Sequence, residues 1–211
     1  MDEILVANEI VDKAHRCKKE LLLFKVDFEK AYDSIDWGYL EEVMVKMGFP
    51  TLWRKWMKEC FGTTSASVLV NGSPTGEFAL GRGLRQGDPL SPFLFLLAAE
   101  GFNVLMESLK VNNLFTGYMV GSTDMTVVSH LQFADDTLIL GEKSWANIWA
   151  MRDVLVLFES LSGLKMNFSK SHLVGVNVAN SWLYEAAMVL NCKVGSIPFV
   201  YLGVSRSSYW W

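Results

Sequence analysis

Apolar positions along this chain alternate between stripes recurring every three to four residues and short unbroken runs. In residues 1–19, Ile4, Leu5, Val11 and Ala14 recur at near-helical spacing among charges, which predicts a helix. Leu21 to Val26 is an apolar run of buried-strand length that ends at Asp27. Leu40, Val43, Met44 and Met47 mark one face of a helix closed by Gly48 and Pro50. A second helix follows, with Leu52, Trp53, Trp56 and Cys60 predicted inward. Ser67 to Val70 is a strand entering Asn71-Gly72, which supplies the positive φ that hairpin turns need, and Phe78 to Leu80 is the return. Gly81 to Pro89 is a glycine-rich loop. Ser91-Pro92 then opens a long apolar helix to about Lys110, with Ser91 as N-cap and Pro92 at the first helical position.

Val127 to Ala134 and Thr137 to Leu140 predict two strands around Asp135-Asp136. Ser144 caps a helix with a stripe of Ile148, Met151, Leu155 and Phe158, stopped by Gly163. Leu173 to Val176 and Phe199 to Leu202 are short strands. This mixed order predicts an α+β domain with an antiparallel centre rather than a regular βαβ winding.

Composition narrows the classes. The chain has 211 residues, 51% apolar and 20% charged, which suits one globular domain. The longest apolar run, Phe93 to Ala99, falls far short of the roughly 20 residues a spanning helix needs. The acidic start, Met1-Asp2-Glu3, shows no secretory leader. Cys17, Cys60 and Cys192 are scattered and odd in number, so they predict neither a disulfide framework nor a CxxC metal site and fit a reducing compartment. Net charge is −4, whereas a free-standing nucleic-acid binder is usually basic. That balance still suits a fragment whose basic parts lie elsewhere. His15, His130 and His172 have no ligand spacing, and Trp53, Trp56, Trp145 and Trp149 recur at intervals that suit core packing.

The chemistry rests on acids. Asp27 stands where an apolar strand stops, held by a rigid element yet able to face solvent. Taken alone, it is an ordinary strand-end carboxylate, and Asp135-Asp136 is a solvated hairpin tip. The pair gains meaning because Phe133 and Ala134 lead straight into it without a polar spacer. Two carboxylates about 4 Å apart repel by roughly 4 kcal/mol at an effective dielectric near 20. With Asp27 on a neighbouring strand, such a cluster must protonate or bind a cation. Mg²⁺ favours a few carboxylates plus phosphates and water, and two ions about 3.5–4 Å apart can activate one oxygen and stabilise another. In Gly81 to Pro92, free N–H groups at the helix start favour anions, and Arg85 and Gln86 are able to reach phosphate or base. Tyr32 suits either stacking on a sugar or a place in the core, and Lys170, in Asn167 to Ser171, is a single cation after a strand.

Three strings then come together in order and spacing: Phe24 to Trp37 (FKVDFEKAYDSIDW), Gly83 to Pro92 (GLRQGDPLSP) and Phe133 to Asp136 (FADD). They resemble the reverse transcriptases of non-LTR (LINE-type) retrotransposons, especially plant ones. Ser162 to Asn167 with Lys170-Ser171, and Tyr201-Leu202-Gly203, are similar to that family's two later palm motifs. The resemblance covers residues 3 to 204. It implies a right-hand polymerase palm, an antiparallel sheet backed by helices. Residues 1–20 would end the fingers, 21–204 carry the palm motifs and 205–211 form a divergent tail, in a chain truncated at both ends and without a thumb.

By motif match, the resemblance makes Asp27 and Asp135 the principal metal ligands, with Asp136 beside them and the carbonyl of Phe28 as an added ligand. Tyr32 falls where a ribose 2′-OH is excluded. Arg85, Gln86 and Gly87 fall where template and incoming nucleotide are held. Lys170 falls near the leaving pyrophosphate, and Tyr201, Leu202 and Gly203 near the primer grip. The implied reaction joins a deoxynucleoside triphosphate to a DNA primer 3′-OH on an RNA template, with two Mg²⁺ ions (Mn²⁺ being able to replace them) and no membrane. The alternatives are a catalytically silent remnant of the same fold, a nucleotide cyclase-like palm, in which Gly83 to Pro92 has no place, and an RNA-binding module, against which the −4 charge weighs. The polymerase reading predicts three carboxylates within a few ångströms of one point.

Overall fold

The computed structural model describes residues 2–121, 125–197, 200–201 and 204–205. In chain order the first elements are α1 (Asp2–Cys17), β1 (Leu21–Val26), α2 (Ala31–Ser34), α3 (Trp37–Lys46) and α4 (Thr51–Gly62). Four two-residue strands follow, β2 (Ser65–Ala66), β3 (Leu69–Val70), β4 (Ser73–Pro74) and β5 (Phe78–Ala79), and then the long α5 (Ser91–Val111). The rest comprises β6 (Tyr118–Val120), β7 (Thr126–Val128), β8 (His130–Phe133), β9 (Asp136–Gly141), α6 (Trp145–Ser162), β10 (His172–Val176), α7 (Asn180–Leu190), β11 (Lys193–Val194), β12 (Val200–Tyr201) and β13 (Val204–Ser205). They group into two compact units, one of Met1–Phe28, Asn103–Leu157 and Met166–Trp211, the other of Glu29–Phe102 and Phe158–Lys165.

The first unit is built on a sheet of order β11-β10-β1-β9-β8. β1 is antiparallel to both neighbours, with Lys25 opposite His172 on one side and Val26 opposite Thr137 on the other. The antiparallel centre is as expected, except that β11 joins β10 in parallel. Leu21, Leu23, Leu138, Leu140, Val174 and Val176 form one face and pack with Ala7, Ile10, Val11 and Ala14 of α1. Leu22, Phe24, Val26, Ile139 and Leu173 point the other way and are equally buried. Burial on both faces is why β1 is a continuous apolar run rather than an alternating one. The Ile148, Met151, Leu155, Phe158 stripe of α6 is fully buried, and Ser144 caps that helix by accepting the Asn147 N–H at 3.0 Å.

Neither α7 nor the β6–β7 pair was predicted. The signal for α7 was present: Leu183, Ala186, Ala187 and Leu190 are buried at helical spacing, though small alanines dilute the stripe. Val200–Tyr201 pairs with Val204–Ser205, while Phe199 and Leu202 of the predicted strand lie outside the described residues.

In the second unit, Asp36 caps α3 by accepting the Tyr39 N–H at 2.9 Å, and Leu40 and Met44 are buried as predicted. Met47 is 48% exposed instead. The inward face of α4 also differs: Met57 and Phe61 are buried, while Leu52 and Trp56 are 59% and 57% exposed and Cys60 is exposed. Aromatic contacts set this rotation. Trp53 stacks on Phe49 at 4.6 Å and meets Phe93 edge-on, and Trp37 lies 5.5 Å from Phe61. Trp145 and Trp149 are also exposed, so of the four tryptophans read as core none is buried and Trp53 alone is half-buried. The Asn71-Gly72 turn forms as expected, with φ of 51° and 83°, but the return strand differs: Leu69–Val70 pairs with Ser73–Pro74 directly across the tight turn, and Phe78–Ala79 pairs with Ser65–Ala66 instead.

Ser91 is not the cap of α5. It is the first helical residue, buried, and its hydroxyl donates to the Arg85 carbonyl at 2.7 Å. Asp88 does the local capping, its Oδ1 accepting the Leu90 N–H at 2.8 Å. By length and composition α5 could cross a membrane. Its Phe95 stacks on Tyr32, however, its Ala98 carbonyl accepts the Tyr39 hydroxyl at 2.8 Å, and its Phe102 meets Phe158 edge-on. Burial holds the Tyr39 phenol well above its ordinary range, with Glu100 adding to the effect, so it stays a neutral donor.

Thr137, next to Asp136 in β9, is fully buried and its Oγ1 has no hydrogen-bond partner. Thr137→Val keeps the shape and removes that desolvated hydroxyl, so stability should rise by about 1 kcal/mol, measured as the midpoint of urea denaturation.

Candidate active site

The edge of the sheet where β1 ends carries the acids. Asp27 follows Val26, and its backbone leaves β9 for the segment after α6. The Asp27 N–H donates to Ser171 Oγ at 3.0 Å, and its carbonyl accepts the Asn167 N–H at 2.7 Å. Ser171 is fully buried and its hydroxyl donates to the Asn167 carbonyl at 2.9 Å. Asp27 is thus held at both backbone groups by one turn. Phe28 bridges Met166. That bridge uses the Asp27 carbonyl, so the carbonyl of Phe28 itself points to the opposite side.

Strand register brings the second acid alongside. Val26 faces Thr137 and Phe133 faces Asp136. One further step along the pair sets Asp27 level with Asp136, on strands about 4.8 Å apart. Alternation puts Leu21, Leu23, Lys25 and Asp27 on one face. Asp135 occupies the β8–β9 turn, after Ala134, whose φ of 52° is left-handed for a residue with a Cβ. Such a conformation costs on the order of 1 kcal/mol and persists only where surrounding pairing imposes it. Asp27 and Asp136 are half-buried and Asp135 is exposed.

These hard oxygen donors, drawn from two adjacent strands, suit a divalent cation. Among the described residues, however, no three side chains of metal-ligand type close on one point. Like charges at this spacing repel, and Asp136 turns to a cation of the chain itself: Lys25 Nζ lies 3.6 Å from its Oδ1. Lys25 was not singled out from the sequence, although a lone charge inside an apolar strand, two residues before Asp27, was a legible signal. Beside it opens a cavity of about 640 Å³, lined by Lys25, His172, Asn180, Tyr184, Gly195 and Ser196 among others. Lys170 is exposed on the Asn167–Ser171 turn, its N–H donating to the Asn167 carbonyl at 3.0 Å.

The second unit holds the remaining candidates. Tyr32 is half-buried, its ring stacked on Phe95 at 4.8 Å and its carbonyl accepting the Leu84 N–H at 2.6 Å. Gly83 donates to Ile35 at 2.8 Å and accepts from the Trp37 indole at 2.7 Å. Its φ is +87°, and a Cβ there would stand 2.6 Å from the Asp33 carbonyl oxygen, so only glycine fits. The loop then presents Arg85, Gln86 and Gly87 to solvent. Arg82, Arg85, Gln86, Ser65 and Asp33 help line an open groove of about 570 Å³. Of the last predicted group, Tyr201 lies in β12, while Leu202 and Gly203 fall outside the described residues.

A family model described as reverse transcriptase (RNA-dependent DNA polymerase) matches residues 2–205. An uncharacterised 149 kDa protein of transposon TX1 from Xenopus laevis is 28% identical over 170 residues, 81% of this chain and 12% of its own length. A retrovirus-related Pol polyprotein from the type-2 retrotransposable element R2DM of Drosophila melanogaster is 26% identical over 83% of this chain and 16% of its own length. An uncharacterised mitochondrial protein of Arabidopsis thaliana is 44% identical over 69 residues, 33% of this chain and 56% of its own length. The chain therefore spans less than a fifth of the two retrotransposon relatives. Apo telomerase from Candida tropicalis shares the fold at a TM-score of 0.62, with 14% identity over 85% of this chain and 35% of that one. Telomerase from Candida albicans does so at 0.60, with 14% identity over 84% of this chain and 31% of that one. The α+β fold is thus the polymerase palm that the motifs implied.

Because the Ser171 hydroxyl accepts the Asp27 N–H from a fully buried position, Ser171→Ala takes away that acceptor and leaves the part-buried Asp27 N–H without it, while the Asn167 carbonyl keeps the Lys170 and Ser171 N–H groups. A loss of about 1–3 kcal/mol is expected in urea denaturation, whereas Ser169→Ala, on the exposed side of the same turn, should change stability by less than about 0.5 kcal/mol.

Proposed function

We propose, on the premise that this chain belongs to the reverse transcriptase (RNA-dependent DNA polymerase) family, that it carries the nucleotidyl-transfer centre of a non-LTR retrotransposon polymerase. The reaction joins a deoxynucleoside triphosphate to the 3′-OH of a DNA primer, directed by an RNA template. The observation that supports this reading is the register of β1 with β9, whose last pair is Val26 opposite Thr137, so that Asp27 and Asp136 are the residues next to that pair.

Asp27 and Asp135 hold the divalent ions, with Asp136 beside them and the Phe28 carbonyl as a further oxygen donor. Two magnesium ions, or manganese in their place, when bound, lower the pKa of the primer hydroxyl and neutralise charge that develops on the phosphates. The chain's own residues position the reactants. Ser171 and Asn167 fix the Asp27 backbone, so its carboxylate needs little reorganisation at the moment of reaction. Tyr32, its ring braced by Phe95, is the wall that a 2′-hydroxyl would strike. Arg85, Gln86 and Gly87 hold template and incoming nucleotide from an exposed loop whose Gly87 has a φ of +87°. Lys170 attends the leaving pyrophosphate, and Tyr201, Leu202 and Gly203 hold the primer end.

Primer extension on an RNA template with Mg²⁺ tests the reading. Asp27→Asn and Asp135→Asn should each lower the rate by at least about 10³-fold, roughly 4 kcal/mol of barrier. Extension that is unchanged in Asp135→Asn would overturn it. Tyr32→Ala should leave deoxynucleotide incorporation measurable while reducing discrimination against ribonucleotides by about 10- to 100-fold.

A further inference from the structure

Arg82 and Arg85 line the open groove of about 570 Å³ in the second unit, together with residues of the β2–β5 pair. Their backbones are pinned. Leu80, two residues before Arg82, donates to the Thr64 carbonyl at 3.1 Å, and Gly83, just after it, donates to the Ile35 carbonyl at 2.8 Å. The Arg85 carbonyl accepts the Ser91 hydroxyl at 2.7 Å, and Leu84 before it donates to the Tyr32 carbonyl at 2.6 Å. Both arginine side chains are exposed, by contrast, and among the described residues neither forms an ion pair. A carboxylate is at hand, since Asp33 lines the same groove. Lys58, Lys110 and Lys143 do close on acids, at 3.0, 2.6 and 2.7 Å. Two guanidiniums on fixed mounts and without a partner are placed for an outside anion.

Residues three apart are separated by at most about 11 Å of chain. Each guanidinium is a planar fork that takes two phosphate oxygens, so the pair reaches one run of an extended polyanion. The carboxylates of Asp33 and Glu77, the latter accepting the Ser65 hydroxyl at 2.9 Å, offset the two positive charges. Such a balance does not concentrate a triphosphate, whose charges crowd together. It suits a strand with one charge and one hydroxylated sugar per unit, in which guanidinium meets phosphate and a carboxylate or hydroxyl meets the 2′-OH. We propose that this groove carries a single strand of RNA and that Arg82 is a positioning residue that grips its backbone. Arg85 takes a neighbouring phosphate, and Asp33 and the Ser67 hydroxyl accept from 2′-hydroxyls. The inference deepens, and rests on, the reading that this chain copies an RNA template.

Fluorescence anisotropy of the full 211-residue chain on a labelled single-stranded RNA, over a series of KCl concentrations, tests it. Arg82→Gln should weaken binding about 3- to 10-fold and flatten the slope of log affinity against log salt by about 0.7, the share of one phosphate contact on a single strand. Arg82→Lys keeps the charge and should keep the slope. Arg152→Gln removes the same charge from α6 and should change neither quantity. The native chain should bind RNA more tightly than DNA of the same sequence. Equal shifts in Arg82→Gln and Arg152→Gln, equal affinity for DNA, or displacement of the RNA by a deoxynucleoside triphosphate at constant ionic strength overturns the groove alone, leaving primer extension and its loss in Asp135→Asn as they are. No RNA binding by the native chain overturns both the groove and the template reading beneath it.

Discussion

β1 is paired along both edges and buried on both faces, and the rest of the first unit takes its position from that strand. Leu21, Leu22, Leu23 and Phe24 are all fully buried, so the strand has little freedom to slip. A slip of one residue would carry Leu21 and Leu23 from the α1 side to the opposite face and turn Lys25 inward. The register is thus set by burial, and the position of Asp27 follows from the register. Where the apolar run stops, the backbone needs new partners, and Ser171 and Asn167 supply them. A carboxylate placed this way sits at solvent on a mount as stiff as the core beneath it.

Electrostatics then governs the sheet's edge. Three acids from two neighbouring strands cannot all lie close without a counter-charge. The chain answers in part with Lys25, and in part by leaving Asp135 on a left-handed turn in water. The same repulsion that separates the acids is what gives such a site its affinity for hard divalent cations.

Steric exclusion governs the loop of the second unit. Leu84 and Gly83 dock on the segment from Tyr32 to Trp37 through three hydrogen bonds, and Asp33 leaves no space for a Cβ at Gly83. Asp88 and Ser91 then hold the start of α5. Arg85, Gln86 and Gly87 project from a loop anchored at both ends. Exposed polar residues on such a loop are available to a ligand without disturbing the core.

The elements themselves were largely legible in the chain, because strands buried on both faces and helices with one apolar face leave different periods. β1, the Asn71-Gly72 hairpin, α6 with its Ser144 cap and the α+β class all follow from local pattern. So did the candidate acids, through the motifs they stand in. Which face of α4 turns inward was not legible, since Trp53 and Trp56 are equally apolar and only the positions of Phe49 and Phe93 choose between them. Ser91 has a good capping side chain, but the nearby Arg85 carbonyl took it. The pairing of the strand that ends at Val26 with the one that begins at Asp136 belongs to the same class. The order of residues along the chain determined which groups could carry the chemistry, because residue type and local spacing are properties of the chain itself. The Ser171 anchor and the Lys25 ion pair were decided by the tertiary structure alone. Strand register depends on how buried faces fit together, and that fit is not a local property of the sequence.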